Sequence, residues 1–212
     1  MENPVIIFGA KGLGRAALEI FESNDNVVYG FLDDDESLHS TELDNIPILG
    51  GTSDTEYLRL LGSECEAFLA VDDNTYKSKL VKSLNTDYSI MPVNAIHGNA
   101  LISRSADIGH GNFINSGASI GAGAKLGSHC VLHSNSTVQH DVRMGDFVQI
   151  GAGATVSANV ELGDNVFVGS GVTIVPGIKI GKNARIGAGS VVVANVENGK
   201  TVFGNPAKEV QH

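Results

Sequence analysis

Tryptophan is absent from this chain, cysteine occurs only twice, and basic side chains are outnumbered: 14 Lys and Arg stand against 24 Asp and Glu, a formal charge of −10. Each shortage narrows the reading. A surface this acidic argues against nucleic acid or an anionic membrane as the main partner. Two cysteines, Cys65 and Cys130, supply neither a disulfide framework nor a metal-ligand spacing. No apolar run is long enough to span a bilayer, and no signal-like stretch precedes Val5, so the expected location is the cytoplasm.

Glycine is plentiful, with 26 residues in 212, and much of it falls in register with a strict period. From Ile96 to Val192 every sixth residue is Ile, Leu, Val or Met, seventeen positions without a slip. A period of six is neither 3.6 nor 3.5, so it is not helical. It marks a hexapeptide array, in which each repeat is one short strand and stacked coils share a core. Four residues after each aliphatic comes a small or β-branched side chain, from Ala106 through Cys130 to Val196, and only Asn112 breaks that column. Both columns are expected to face inward.

Between them sits a polar column that includes His110, Ser116, Ser128, Ser134, His140, Asp146, Asp164 and Lys182. A straight strand would bury it, so the chain must bend inside every repeat. In the next column, twelve of the fifteen residues from Gly111 to Asn195 are Gly or Asn, the types that tolerate a left-handed backbone. Three bends close one triangular coil of eighteen residues. Ala158 lies eighteen residues after His140, so its backbone is expected on the same edge, roughly 5 Å away.

The first part of the chain is of another kind. The apolar strand Val5–Phe8 runs into Gly9-Ala-Lys-Gly12-Leu-Gly14 and a helix over Arg15–Ser23. A strand over Val27–Leu32 ends in Asp33, Asp34 and Asp35; a helix near Ser53–Leu61, a strand over Ala67–Val71, a helix over Thr75–Leu84 and a strand at Tyr88–Met91 follow. This alternation predicts a Rossmann-like α/β domain over residues 1–92, with the hexapeptide domain and a C-terminal tail over 93–212. Glycines between strand and helix let backbone approach a phosphate at a helix N-terminus, and an acid at the next strand end can accept from ribose or a base. Gly9, Gly12, Gly14, Asp33 and Asp34 are therefore candidates for a nucleotide-bearing ligand, the alternative being a tight turn beside a solvated acidic loop. The spacing GxxGxG in so short a domain disfavours NAD.

The glycine-opening α/β domain, the strand end Phe31-Leu-Asp-Asp-Asp35, the uninterrupted hexapeptide array with Val138-Gln-His140-Asp141, and the closing Gly204-Asn-Pro206-Ala-Lys208 together resemble the NeuD/PglD family of sugar acyltransferases. The resemblance runs from about Pro4 to Lys208. It implies a left-handed parallel β-helix assembled as a homotrimer, acetyl-CoA as cosubstrate between neighbouring prisms, and no metal. By the same resemblance His140 is a general base oriented by Asp141, and the Ala158 amide stabilises the oxyanion. Ala188 and Gly189 belong to the coenzyme groove, and Pro206 and Lys208 to its C-terminal end. His133 is a substrate contact beside the His140 repeat. Leu13 and Gln149 stand where the family commonly carries histidines that touch substrate and coenzyme.

The function implied is acetyl-CoA-dependent N-acetylation of a UDP- or GDP-linked amino sugar by direct transfer, with O-acetylation of sialic acid or a related sugar as the alternative. Taken on its residues alone, His140 is an outward histidine that solvent exposure explains equally well, and Asp141 a turn former. Two further classes stay open. His97 and His133 are two whole coils apart, as in zinc-holding γ-type carbonic anhydrases, but the partner histidine expected five residues later is Val138. A non-catalytic nucleotide-sugar sensor would bind ligand without releasing thiol from acetyl-CoA.

Overall fold

The computed structural model describes residues 3–210 and divides into two compact units between Gly98 and Asn99. In the first, β1 (Val5–Phe8), α1 (Leu13–Ser23), β2 (Val28–Leu32), β3 (Glu42–Leu43), β4 (Ile46–Gly50), α2 (Thr55–Leu58), β5 (Glu66–Leu69) and α3 (Asn74–Tyr88) follow one another. The sheet order is β3-β4-β2-β1-β5. β4, β2, β1 and β5 are parallel, and β3 adds an antiparallel edge. β1 is apolar at all four positions because it is buried on both faces, as central parallel strands are. α1 covers it with Leu13, Gly14, Ala17, Leu18, Ile20 and Phe21, an apolar stripe at helical spacing.

Two sequence expectations for this unit need correction, and the strand β4 has no counterpart among them. The helix near Ser53–Leu61 is a single turn, α2. No strand forms over Tyr88–Met91: Tyr88 ends α3, and Ser89 turns left-handed at φ 58°. Ser89 N–H then reaches Asn85 O and Ile90 N–H reaches Leu84 O, a closure that folds the buried Ile90 back onto the core. β4 went unpredicted because Pro47 interrupts its apolar pattern, yet Phe31 and Leu32 of β2 pair beside Ile48 and Gly50.

The second unit is a left-handed parallel β-helix of two-residue strands. Each strand of the hexapeptide array pairs in parallel with one eighteen residues away, as in Ser119↔Thr137, Lys125↔Arg143 and Val131↔Gln149. The aliphatic column is inward, with Ile114, Leu132, Val138, Ile150, Val156, Val168, Ile174 and Ile186 buried. The second column is inward too: Ala118, Ala124, Cys130, Ser136, Val142, Val148 and Val160 have no exposed surface. Asn112, the polar exception, is also fully buried, and its Oδ1 accepts from the Cys130 N–H at 2.7 Å.

The bend column adopts positive φ without a break from Gly111 to Gly189, including the three residues that are neither Gly nor Asn: His129 (61°), Asp141 (59°) and Phe147 (58°). Stacking therefore imposes the left-handed corner even on phenylalanine, where it costs roughly 1–2 kcal/mol. Phe147 is braced there by its ring, stacked 5.0 Å from that of His129.

The three outer faces differ in chemistry. Outward strand positions on one face read Asp107, Lys125, Arg143, Glu161 and Lys179. On another they read Ser119, Thr137, Thr155, Thr173 and Val191, with no charge. The third ends in a hairpin, Thr201–Gly204 against Ala207–Glu209, paired to Arg185–Ile186.

Candidate active site

In the first unit a cleft of about 250 Å³ opens where β1 meets α1, lined by Gly9, Lys11, Gly12, Asp33, Asp34, Thr52, Ala70, Val71, Asp72 and Tyr76. Gly9 has φ 105°, and an added Cβ would stand 2.6 Å from Ala70 O, so only glycine fits this turn. Gly12 precedes α1 with no side-chain cap, and the Gly14 N–H at the start of the helix donates to Lys11 O at 2.5 Å. Gly14 and Leu13 do not line it. Leu13 is buried, and a Cβ on Gly14 would meet Gly9 O at 2.0 Å, so Gly14 is there for close turn-to-helix packing.

The acids at the end of β2 have separate tasks. Asp33 accepts from Ala10 N–H at 2.8 Å and from Asp35 N–H at 2.9 Å, tying the glycine turn to the loop after β2. Asp34 accepts from the amide (2.8 Å) and hydroxyl (2.9 Å) of Thr52 and from the Tyr76 hydroxyl. Burial works to raise the Asp34 carboxyl, but the Tyr76 and Thr52 donors outweigh it and hold it below the usual carboxylate range. Tyr76 is pushed up by burial and by its bond to Asp34. Asp35 pairs with Lys11 at 2.6 Å, and this lysine, helped by Ser37, lowers its pKa to about 2. The sequence reading missed Lys11, Thr52 and Tyr76; the Gly-Gly-Thr stretch at the end of β4 was the available signal, hidden with that strand.

In the second unit His140 and Asp141 occupy one corner. His140 Nδ1 lies 3.0 Å from Asp141 Oδ2, with side chains 59% and 61% exposed. The left-handed corner aims the Asp141 carboxylate back at the preceding imidazole. If Nδ1 carries the proton to Asp141, Nε2 has a free lone pair facing outward. Ala158 is on the same corner one coil later, placed there by the Asn159 N–H to His140 O bond of 3.2 Å. Its own N–H donates to Gln139 Oε1 at 3.2 Å.

The other expected groove residues lie elsewhere on the prism. Ala188 and Gly189 belong to a different corner, stacked above Ser170 and Ala152. That corner adjoins the C-terminal hairpin, where Gly187 N–H meets Val202 O and Lys208 pairs opposite Phe203; Pro206 sits in its turn. Gln149 is outward on a strand paired with Val131 and Phe167, and His133 has its ring 6.5 Å from that of Phe113. Within one chain the predicted residues thus form two groups on two corners. A wider cleft of about 450 Å³ on the charged face holds Arg143, Glu161, Lys179 and Lys182, but ion pairs Lys179–Glu161 (3.0 Å) and Lys182–Asp164 (2.7 Å) engage its lysines. Among the described residues no group of three or more His, Cys, Asp or Glu side chains is disposed to hold a metal ion. No helix among them is long and apolar enough to cross a membrane.

The family model described as the PglD N-terminal domain matches residues 4–84, and the bacterial transferase hexapeptide model matches 105–140, 123–158, 141–176 and 159–194. No curated protein matches the chain. A GDP-perosamine N-acetyltransferase from Caulobacter crescentus, solved with CoA and GDP-perosamine, is similar at 27% identity and TM-score 0.91, covering 100% of this chain and 99% of its own. The acetyltransferase domain of PglB from Neisseria gonorrhoeae, solved with acetyl coenzyme A, is 26% identical with TM-score 0.89, covering 99% of this chain and 100% of its own. WeeI from Acinetobacter baumannii gives 25% and 0.87 over 99% and 100%. An α/β unit matched by the one model, a hexapeptide prism matched by the other, and end-to-end likeness to these solved structures give one answer: the chain belongs to the NeuD/PglD-like family of hexapeptide-repeat sugar acyltransferases.

Proposed function

We propose that this protein transfers the acetyl group of acetyl-CoA to the amine of a UDP- or GDP-linked amino sugar, in the cytoplasm, as a homotrimer. The observation that carries the chemistry is the His140–Asp141 pair at 3.0 Å on an exposed corner, with a backbone amide one coil away. His140 Nε2 takes the proton as the amine attacks the thioester carbonyl. The Ala158 N–H donates to the oxygen that gains charge, where a preorganised donor is worth most. The intermediate then collapses, the C–S bond breaks, and the imidazolium returns its proton to the departing thiolate. Transfer is direct: Cys65 and Cys130 are both buried, so neither thiol can carry the acyl group. The cleft of the first unit supplies the nucleotide handle, its glycine turn at Gly9 and Gly12 letting backbone approach a phosphate.

The separation of His140 from Ala188, Gly189, Pro206 and Lys208 supports a coenzyme groove that two copies share. The uncharged face, with Thr155, Thr173 and Val191, is suited to a cyclic contact because it buries no unpaired charge, whereas the face with Arg143 and Glu161 is suited to solvent. Thr155→Lys is expected to dissociate the trimer, read as a threefold fall in molar mass by light scattering; an unchanged mass would move the contact to another face.

The function is tested by thiol release from acetyl-CoA against UDP-, GDP- and dTDP-linked amino sugars and sialic acid. One amino sugar is expected to turn over; tight binding of nucleotide sugars with no thiol released from any would make the protein a sensor. In the same assay Asp33→Ala, which unties the amides of Ala10 and Asp35, is expected to raise the acceptor KM at least tenfold and leave the acetyl-CoA KM alone, since even one hydrogen bond to a charged acceptor is worth about 1.5–3 kcal/mol and about 1.4 kcal/mol is tenfold. The opposite pattern would exchange the ligands of the two units.

A further inference from the structure

The corners of the prism share a rule that singles out one side chain. At each corner the first residue donates its N–H to the next coil, as Gln139 does to Val156 O and Ser157 to Ile174 O. The third donates to the coil before, as Asp141 does to Ala122 O and Asn159 to His140 O. The middle residue's N–H receives no backbone acceptor at any corner among the described residues. On one edge side chains of the following coil fill the gap: Ser128 Oγ serves His110, Asp146 Oδ1 serves Ser128, and Asp164 Oδ1 serves Asp146. On the His140 edge the middle residues of the coils on either side, Ala122, Ala158 and Pro176, have no side-chain acceptor to offer. The Ala158 N–H is filled instead from the coil before, by Gln139 Oε1 at 3.2 Å, and the residue is only 8% exposed.

We propose that Gln139 is a placeholder for the acyl oxygen: in the free protein its side-chain carbonyl occupies the Ala158 N–H that the thioester oxygen takes during transfer, so that Gln139 sets how strongly acetyl-CoA is preferred to CoA. This rests on the acetyl-transfer reading above. A nearly buried amide with no acceptor costs free energy, and Gln139 removes that cost while the site is empty. A neutral amide oxygen yields to a thioester oxygen at small expense and to a developing oxyanion readily, because a charged acceptor makes the stronger bond. Displacing Gln139 costs the bound thioester and the transition state alike, so the arrangement raises the acetyl-CoA KM without slowing the chemical step. CoA, which has no carbonyl at that position, leaves Gln139 in place.

The test is calorimetric titration of the full chain with acetyl-CoA and with CoA, using the wild type, Gln139→Met and Gln139→Glu. Methionine keeps the length and loses the carbonyl, so acetyl-CoA is expected to bind about 3–10-fold more tightly with CoA unchanged, the range of one net hydrogen bond. In turnover this variant is expected to lower the acetyl-CoA KM with little change in kcat. Glutamate, a stronger acceptor, is expected to shift the ratio the other way. An equal ratio in all three proteins, with thiol release intact, overturns the role of Gln139 alone. Failure of the wild type to bind either coenzyme overturns the acetyl-transfer reading and this inference with it.

Discussion

Replacing His140 with alanine is expected to slow thiol release at least a hundredfold while leaving acetyl-CoA affinity within about twofold. A positioned general base contributes roughly 10²–10⁴ to such a transfer, and nothing else on the corner can replace it. Asp141 is an acceptor already turned toward Nδ1, and the Ala158 amide is a donor. The loss will be chemical rather than structural, because the His140 side chain is 59% exposed and its removal opens no cavity, so the thermal midpoint should be unchanged. Asp141→Asn is the finer probe. Asparagine accepts the left-handed corner as well as aspartate does, so the turn survives and only the carboxylate is lost. A smaller loss, about tenfold, is expected from this change, since the imidazole keeps its place but its cation is no longer stabilised. Activity in His140→Ala within threefold of the wild type would remove this residue from the mechanism.

The prism was legible because each of its features is a sequence column. Inward aliphatics, small second residues and glycine or asparagine bends are all set by the same stacking, and the observed register of eighteen follows from them. Phe147 was not legible as a left-handed residue, since its own preference opposes the conformation that the coils above and below impose. In the α/β unit the elements with clean apolar patterns, β1, β2, β5 and α1, were legible near their observed limits, whereas α3, which buries only Lys77 and Leu84, runs on to Tyr88 past the expected end at Leu84. Those governed by a local exception were not: Pro47 masked β4, and the apolar Ile90 suggested a strand where it closes a helix. At the site, spacing alone placed His140 and Ala158 on one corner. It could not show that Gln139 reaches across to the Ala158 amide, or that Tyr76 and Thr52 converge on Asp34, because both depend on side-chain direction between elements distant in sequence.

Gly121→Ala tests whether the stacking that builds the prism also positions the base. Gly121 follows Ile120 one coil before Gln139 and donates its N–H to Val138 O at 2.8 Å. A Cβ there would stand 2.5 Å from His140 N and 2.7 Å from Gln139 C. Both are backbone atoms, so no rotamer change relieves the overlap, and the two coils must part at the corner that carries His140. Overpacking of this kind costs about 1–3 kcal/mol. Because coils interact chiefly with their neighbours, the displacement stays local and falls on His140 rather than spreading along the prism. A shift of several tenths of an ångström in a general base is expected to reduce kcat about tenfold or more, in protein shown to be folded under the assay conditions. Gly199→Ala is the matched control. Gly199 has φ 70° but nothing within 4 Å of its Cβ position, so alanine there costs roughly 1–2 kcal/mol through backbone conformation and displaces no neighbour. Two variants of similar stability, measured by denaturant unfolding, should therefore separate in kcat. Equal activity would mean that the His140 corner tolerates movement of its coil, and that Gly121 serves stability alone.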